Sequence, residues 1–232
     1  MRTMPEQPVV GDIYRQLEQE IVGLYILPGE TLSENQLCSR FGVSRTPIRS
    51  VLQRLEHNGF VQIIPHRGTI VTPINLHIAN QMIYQRVAVE TMVLRDFVRT
   101  ATPIEVEQVR YAQQQLLLAG QDLSNPEHFD INHFLDVDLR MHQLWFHFTD
   151  KDFLWELLSK PQADYARFIR LDIVGAKNVP DVLKDHREMM RIIDEKDAEA
   201  IEPLISHHLY GGVRRLGDKI FSSEYSRYFN PL

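Results

Sequence analysis

The chain has 232 residues, of which 44% are hydrophobic and 24% are charged. This is the balance of an ordinary globular protein, and it excludes a mostly disordered chain, which would lack the apolar surface needed to offset its ordering entropy. The single cysteine, Cys38, cannot form a disulfide within the chain, so a disulfide-stapled scaffold is excluded and a reducing cytoplasm is the expected compartment. No run of 18 apolar residues occurs, which predicts no membrane-spanning helix, and Met1–Pro8 lack the apolar core of a secretory signal.

Charge is divided unevenly along the chain. Residues 1–75 contain seven arginines, no lysine and seven acidic residues, so the whole formal charge of −6 belongs to the remainder. Between Arg40 and Arg67 five arginines stand against one acidic residue, Glu56. A basic segment followed by an acidic region predicts two domains with different partners. We place a first domain at 8–72, a linker at 73–77 and a second, helical domain at 78–229.

The first domain has the pattern of three helices and a hairpin. Apolar residues spaced three to four apart predict a helix over 12–26. Ser33 caps a short helix that ends at Gly42, and Ser44 caps a third helix that ends at Asn58-Gly59. Two β-branched runs follow, over 60–64 and 69–72, and they predict a two-stranded hairpin. The order helix, short helix, tight turn, helix, hairpin predicts a helix-turn-helix followed by a wing.

The third helix carries the candidate DNA-reading residues. In a helix-turn-helix the second helix of the motif lies in the major groove and presents its N-terminal residues to the bases. Arg45 and Arg49 share a face there, and an arginine can bridge O6 and N7 of guanine with two hydrogen bonds. Ser44 and Thr46, near the helix N-terminus, suit phosphate oxygens.

The hairpin tip adds a second candidate contact. His66, Arg67 and Gly68 lie between the two strands and would reach the adjacent DNA backbone or the minor groove. The alternative is that the arginines form only a solvated helix face. Their place after a turn glycine, beside a hydroxyl cap and before a basic hairpin favours nucleic acid.

These residues resemble the winged helix of GntR-type bacterial transcription factors over about residues 10–72. The resemblance is carried by Leu27–Glu34, by Phe41–Arg49 with its string Val-Ser-Arg-Thr-Pro-Ile-Arg, and by Arg67-Gly68. It implies that the DNA-contacting positions of the family are Asn35, Ser44, Arg45, Thr46, Arg49 and Gly68 in this chain.

The second domain shows helical periodicity throughout, so the fold class is mainly α, a winged helix-turn-helix followed by a bundle of about six helices. About 157 residues in six helices can bury a sizeable core. The predicted helices are 78–100, 104–123, 126–148, 151–173, 179–195 and 198–221.

One aspartate and three histidines of this domain have the arrangement of metal ligands. Asp138 and His142 are one helical turn apart and share a face. His186 and His208 lie on two helices joined by the turn at 194–197, which would bring their imidazoles to one level. A carboxylate with three neutral imidazoles suits a divalent ion, zinc first and nickel or manganese as alternatives, with positions left open for a ligand.

Any one of these histidines, taken singly, fits a core or surface position as well. His133, His147 and His207 lie on the same predicted helices but off the face of Asp138 and His142, and they are not assigned to the site.

The same residues resemble the FCD domain of the FadR subgroup of GntR regulators. The resemblance is carried by Phe134-Leu135-Asp136, Asp138–His142, Asp185-His186 with Asp197, and Ser206–Leu209. In that family one aspartate and three histidines bind a metal inside the bundle, which implies Asp138, His142, His186 and His208 as the ligands here.

Arg86 is the candidate effector-binding residue. With Glu90 it matches the Arg-x-x-x-Glu pattern of the family, and its planar guanidinium would hold a carboxylate by two hydrogen bonds. A small organic or sugar acid that bridges the metal and Arg86 is the expected effector. The alternative is a surface ion pair between Arg86 and Glu90.

The whole pattern predicts a bacterial transcriptional regulator that is not an enzyme. Such a protein acts as a homodimer, because two-fold symmetry matches a palindromic double-stranded operator. Two alternatives stay open, a metal-dependent hydrolase or lyase that uses the Asp/His site, and an adaptor with a structural metal. The operator, the effector and the sign of regulation are left open.

Overall fold

The computed structural model describes residues 10–121, 129–175 and 178–229. Met1–Pro8 and the predicted helix start at Asn125-Pro126 lie outside these residues. The helices are α1 Val10–Val22, α2 Glu34–Phe41, α3 Arg45–His57, α4 Leu76–Thr100, α5 Pro103–Ala119, α6 Ile131–His147, α7 Asp152–Ser159, α8 Ala163–Gly175, α9 Val179–Glu195, α10 Ile201–Leu209 and α11 Gly211–Leu216. The strands are β1 Thr31–Leu32, β2 Val61–Ile64 and β3 Gly68–Val71, and short 3-10 helices occupy Ala198–Ala200, Gly217–Phe221 and Ser226–Tyr228.

The mainly helical architecture with a small wing confirms the predicted fold class. The residues group into two compact units, and the first comprises the described parts of Met1–Ala79, Pro161–Arg170 and Asp218–Leu232. The second comprises Asn80–Lys160 and Leu171–Gly217, again in their described parts. Two stretches that the sequence analysis assigned to the helical domain therefore cluster with the winged helix.

The winged helix is built around one apolar core. Helix α1 packs on α3, because Ile13, Leu17 and Ile21 of α1 face the buried stripe of α3. The stripe of α3 consists of Ile48, Val51, Leu52 and Leu55, and all four are at most 1% exposed. This packing holds α3 from its inner side and leaves its outer side to solvent.

The turn between α2 and α3 has the conformation that its sequence predicts. Gly42 ends α2 in the left-handed region, at φ +66° and ψ +30°, and its N–H donates to the carbonyl of Cys38. Ser44 precedes α3 in extended conformation, at φ −73° and ψ 175°. The turn sets the direction in which α3 leaves α2.

The wing contains one strand more than predicted. Strands β2 and β3 form the expected antiparallel hairpin, with Ile64 paired to Gly68 at its tip. The additional strand β1, Thr31–Leu32, pairs antiparallel with the other edge of β3, so the sheet order is β1-β3-β2.

The segment that joins the winged helix to α4 is tied to the first unit. Arg167 of α8 is fully buried and donates to the backbone carbonyls of Thr72 and Ala163. The N–H of Asn75 donates to Asp164 Oδ1 at 2.8 Å, and Ala163 itself lies in the winged-helix core.

The second unit is a helical bundle in which two predicted helices are divided. The helix expected over 151–173 is two helices, α7 and α8, which are separated at Pro161. The helix expected over 198–221 is a 3-10 turn, α10, α11 and a second 3-10 turn. Helix α6 begins at Ile131, where the carboxylate of Asp130 accepts from two N–H groups of the first turn. None of the described helices combines the length and the apolar character that crossing a membrane requires.

Candidate functional site

The four predicted metal ligands come together in the second unit. Asp138 and His142 lie one turn apart on α6, His186 lies on α9 and His208 lies on α10. One candidate ligand atom from each lies within 4.8 Å of all the others. The rings of His186 and His208 are 4.8 Å apart between centroids, as the predicted pairing of their helices requires.

Each imidazole is oriented by a hydrogen bond through its Nδ1 atom. His142 Nδ1 lies 2.7 Å from Glu90 Oε2, and His186 Nδ1 lies 2.8 Å from the carbonyl oxygen of Val182. His208 Nδ1 lies 3.3 Å from Asp185 Oδ2. All three partners are acceptors, so Nδ1 carries the hydrogen and the Nε2 lone pair of each neutral ring is left for another partner.

The inward-facing atoms form a donor set that fits a divalent cation. His142 Nε2 and His186 Nε2 lie 3.2 Å apart, and two facing lone pairs repel unless a cation or a proton lies between them. Asp138 Oδ1 lies 3.1 Å from His186 Nε2 and is buried without a hydrogen-bond partner. Three imidazole nitrogens and one carboxylate oxygen are ligands that Zn²⁺ binds in proteins.

The pKa values of the site are set by two opposing effects, burial and the neighbouring side chains. Burial alone would raise the pKa of Asp138, but His186, His142 and His208 outweigh it and hold that pKa well below its usual range. Burial lowers the pKa of His186, and the neighbouring Asp138 more than reverses this and raises it. Burial lowers the pKa of His208 to about 4. The space between His186 and Asp138 therefore favours positive charge, as a cation site does.

Arg86 and Glu90 form a buried pair behind His142. Glu90 is fully buried, Arg86 is 8% exposed, and Arg86 Nε donates to Glu90 Oε1 at 2.5 Å. Burial would raise the pKa of Glu90, but Arg86 and His142 lower it to about 2. The alternative of a surface ion pair is therefore wrong, because the pair exists but is buried.

Glu90 and Asp185 were not predicted as hydrogen-bond partners of the candidate ligand histidines His142 and His208. The Arg-x-x-x-Glu spacing was the available signal for Glu90, and the Asp-His pair at 185–186 was the signal for Asp185. His133, His147 and His207, which were left out of the site, are exposed. A separate groove of about 1040 Å³ between α5 and α6 has His133 and His147 in its lining and none of the four ligands.

All the residues predicted to contact DNA are exposed on the winged helix: Asn35, Ser44, Arg45, Thr46, Arg49, Arg67 and Gly68. Ser44 forms no capping hydrogen bond through its hydroxyl. Arg45 Nη2 donates to Asn35 Oδ1 at 2.9 Å, and Arg49 Nε lies 3.1 Å from both carboxylate oxygens of Glu34.

The wing tip combines an exposed arginine with a glycine that its backbone requires. Gly68 has φ +102°, and a Cβ there would lie 3.3 Å from Thr31 Cγ2. Arg67 stands beside it at the tip, where its N–H donates to the carbonyl of Ile64. Arg67 therefore projects from the wing tip beside Gly68, which has no side chain.

Comparison with known proteins finds two family matches. Residues 10–71 match the bacterial regulatory proteins of the gntR family, and residues 81–211 match the FCD domain. Together the two matches cover both the winged helix and the quartet of candidate ligands.

Individual relatives are similar over most of the chain. The chain is 31% identical over 207 residues to the HTH-type transcriptional repressor RspR of Escherichia coli, covering 88% of this chain and 87% of that protein. It is 24% identical to the galactonate operon transcriptional repressor of the same organism, covering 86% and 92%. A crystal structure of a putative GntR regulator from Rhodococcus has a TM-score of 0.68 at 18% identity, covering 90% of this chain and 97% of that one. E. coli McbR/YncC has a TM-score of 0.66 at 16% identity, with the same coverage.

These relatives are regulators, and the expectation that the chain is not an enzyme is confirmed on that ground. The chain belongs to the GntR family of bacterial regulatory proteins, as a transcriptional regulator with an FCD domain.

Proposed function

We propose that the chain is a metabolite-responsive regulator of the FadR subgroup, which binds a palindromic operator as a homodimer in the bacterial cytoplasm. In this proposal the first domain, 8–72, reads DNA, and the linker 73–77 transmits the state of the helical domain, 78–229. The observation that carries it is the convergence of four ligand atoms within 4.8 Å, in the same chain as an exposed recognition helix. The two repressors among the relatives support repression as the sign of regulation.

The DNA-binding part rests on the exposed N-terminal turns of α3. Arg45 and Arg49 share a face one turn apart, and the apolar stripe on the opposite face fixes that orientation. Ser44, Thr46 and the free N–H groups of the first turn suit phosphate oxygens. Asn35, Arg67 and Gly68 extend the same exposed surface to α2 and to the wing.

A substitution of Arg49 tests this part. Genomic fragments that the purified chain retains supply a duplex, and its affinity is measured at several salt concentrations. We expect Arg49→Ala to weaken specific binding by about 1–3 kcal/mol, because a bidentate contact to guanine is lost. Arg95→Ala is the matched control, since Arg95 is exposed on α4. Equal affinity of the Arg49→Ala variant and the parent for the retained duplex would contradict the role of α3.

The metal part rests on the ligand set. Asp138, His142, His186 and His208 would hold a divalent ion, zinc in the first place and nickel or manganese as alternatives. A bound ion with open coordination positions is a Lewis acid that attracts a carboxylate. The three Nδ1 hydrogen bonds support this proposal, because they aim the remaining ring nitrogens at one point.

The effector part assigns a small organic or sugar acid to the metal and Arg86. The galactonate operon repressor supports this class, since galactonate is a sugar acid. Arg86 is 8% exposed and lies behind the metal ligand His142, at a place where a guanidinium can meet a buried carboxylate.

Calorimetry with a panel of organic and sugar acids tests the effector class. We expect Arg86→Ala to lower acid affinity at least tenfold while Arg95→Ala leaves it unchanged. The metal content of each variant is measured in parallel, because Arg86 also stabilises the Glu90 carboxylate. Undiminished acid affinity in an Arg86→Ala variant that retains its metal would remove Arg86 from the effector site.

A further inference from the structure

Two consecutive residues at the start of α2 hold the two arginines of the recognition helix. Asn35 Oδ1 accepts from Arg45 Nη2 at 2.9 Å. Both oxygens of Glu34 lie 3.1 Å from Arg49 Nε. The first helix of the motif therefore orients the side chains that the second helix presents to DNA.

The Glu34–Arg49 ion pair is too exposed to contribute much to the stability of the fold. The Arg49 side chain is 60% exposed and that of Glu34 is 35% exposed. Exposed ion pairs of this kind contribute little to the free energy of folding. In the structure the pair aligns the Arg49 guanidinium with Glu34 through its Nε atom.

The geometry of the pair leaves the reading edge of Arg49 to another partner. Both contacts run through Nε, so the Nη1 and Nη2 nitrogens at the end of the guanidinium are not the atoms that Glu34 engages. A guanine in the major groove offers O6 and N7 to two such nitrogens. When Glu34 holds Nε, Arg49 can thus approach a guanine with Nη1 and Nη2 already oriented.

We propose that Glu34 is a specificity-determining positioning residue, which acts through Arg49 and makes that arginine discriminate between base pairs. The inference rests on the proposed reading of DNA by α3. Glu34 offsets the charge of Arg49, whereas Asn35 is neutral and leaves the charge of Arg45 intact. Arg45 is then the stronger electrostatic anchor for DNA, and Arg49 is the more selective reader.

The charge of Glu34 gives the proposal a distinctive signature. A carboxylate near phosphates weakens attraction to DNA of any sequence. Its removal strengthens binding to a non-specific duplex and frees Arg49 to contact phosphates. A residue that merely supported the fold would weaken binding to every duplex instead.

The experiment uses the full chain and two DNA probes. One is a 30-bp duplex enriched from a randomised pool by the unmodified protein, and the other is a scrambled duplex of the same composition. We expect Glu34→Gln to lower the ratio of specific to non-specific affinity about tenfold, mostly through tighter binding to the scrambled duplex. The salt dependence of that binding is expected to steepen by about 0.9 in log–log slope, since one phosphate contact is added.

Two further variants separate charge from geometry. Glu34→Asp keeps the charge but shortens the reach, so we expect the wild-type salt slope with a reduced affinity ratio. In an Arg49→Ala background we expect Glu34→Gln to leave the ratio unchanged, because the residue through which it acts is absent. Thermal melting of each variant verifies that it is folded.

The outcomes distinguish this inference from the proposed function. If the ratio of specific to non-specific affinity falls in Arg49→Ala but stays within twofold of wild type in Glu34→Gln, the role of Glu34 is overturned and the role of α3 is not. An equal effect of Glu34→Gln with and without Arg49 also overturns the role of Glu34. A ratio unchanged in Arg49→Ala itself overturns the role of α3 in reading DNA, and this inference with it.

Discussion

Glu90 is a fully buried carboxylate whose two oxygens face different partners. Oε1 accepts from Arg86 Nε, and Oε2 accepts from His142 Nδ1. Because burial favours the neutral carboxylic acid, the charge of Arg86 and the hydrogen bond from His142 are what keep Glu90 ionised. The ionised carboxylate fixes the tautomer of His142 and turns its Nε2 atom toward the other three candidate ligands.

In the proposed metal site, Glu90 would determine metal affinity through His142. We expect Glu90→Gln to weaken zinc binding about 10–100-fold, the usual cost of losing such a partner of a ligand histidine. Competition with a chromophoric chelator measures the affinity. His133→Gln is the control, because His133 is exposed and lies off the ligand face. Zinc affinity within twofold of wild type in Glu90→Gln would show that the carboxylate does not support the site.

The grouping of Asp138, His142, His186 and His208 could be predicted from the sequence, but the contact of Glu90 with His142 was not predicted. Asp138 and His142 share a face by local helix geometry, and the turn at 194–197 pairs the helices of His186 and His208. Glu90 reaches His142 across 52 residues of chain, from a helix whose position relative to α6 no local pattern fixes. His133 and His147 could be excluded from the site because helical periodicity places them off the face of Asp138 and His142.

At the scale of elements, the placement of α2 against the arginines of α3 depends on the turn between these two helices. Gly42 adopts φ +66°, a conformation that costs other residues about 1–2 kcal/mol, and a Cβ there would have no atom within 4 Å. The strain of a substitution would therefore be purely conformational. The turn places Asn35 and Glu34 of α2 within hydrogen-bond distance of the α3 arginines.

A pair of glycine substitutions tests this conformational requirement. We expect Gly42→Ala to lower the free energy of unfolding by about 1–2 kcal/mol and to weaken specific DNA binding, because the turn relaxes away from its native angles. Gly11→Ala is the matched control: Gly11 lies in α1, where alanine is favoured and a Cβ meets only Arg15 Nη1 at 3.9 Å. Urea unfolding measures both. A Gly42→Ala variant as stable as Gly11→Ala would contradict the requirement.

The elements that escaped prediction are those fixed by distant contacts. The strand Thr31–Leu32 is two residues long and exists because it pairs with Thr69 and Ile70, so local propensity carries no signal for it. The helix predicted over 151–173 runs through Pro161. The chain instead divides there, and Ala163, at the start of α8, lies in the core of the winged helix. The turn glycine Gly42 and the N-cap Ser33 were predictable because their chemistry is local.

At the scale of the whole molecule, two-fold symmetry would require an apolar surface that a second copy can cover. Helix α7 has such a surface, since Phe153, Leu154 and Leu157 are 70%, 40% and 47% exposed. Phe153 and Leu157 lie one turn apart on one face, while Trp155 and Leu158 are buried on the other. An eight-residue helix with apolar side chains on both faces is typical of an element placed between a core and a partner.

We therefore expect the unmodified chain to be a dimer at micromolar concentration and the double variant Phe153→Asp, Leu157→Glu to be a monomer. Placing two carboxylates on each copy in an apolar interface leaves them desolvated and unpaired, and each lost apolar contact removes about 1.5–3 kcal/mol. Light scattering coupled to size-exclusion chromatography measures the mass. Ile104→Glu is the control, because Ile104 of α5 is 73% exposed and lies outside this face. A double variant that keeps the dimer mass would exclude α7 from the interface, and a monomeric parent chain would contradict the dimer itself.

Since a dimer doubles the contacts with a palindrome, the monomeric variant should also bind a two-half-site duplex at least tenfold more weakly while its binding to a single half-site is unchanged.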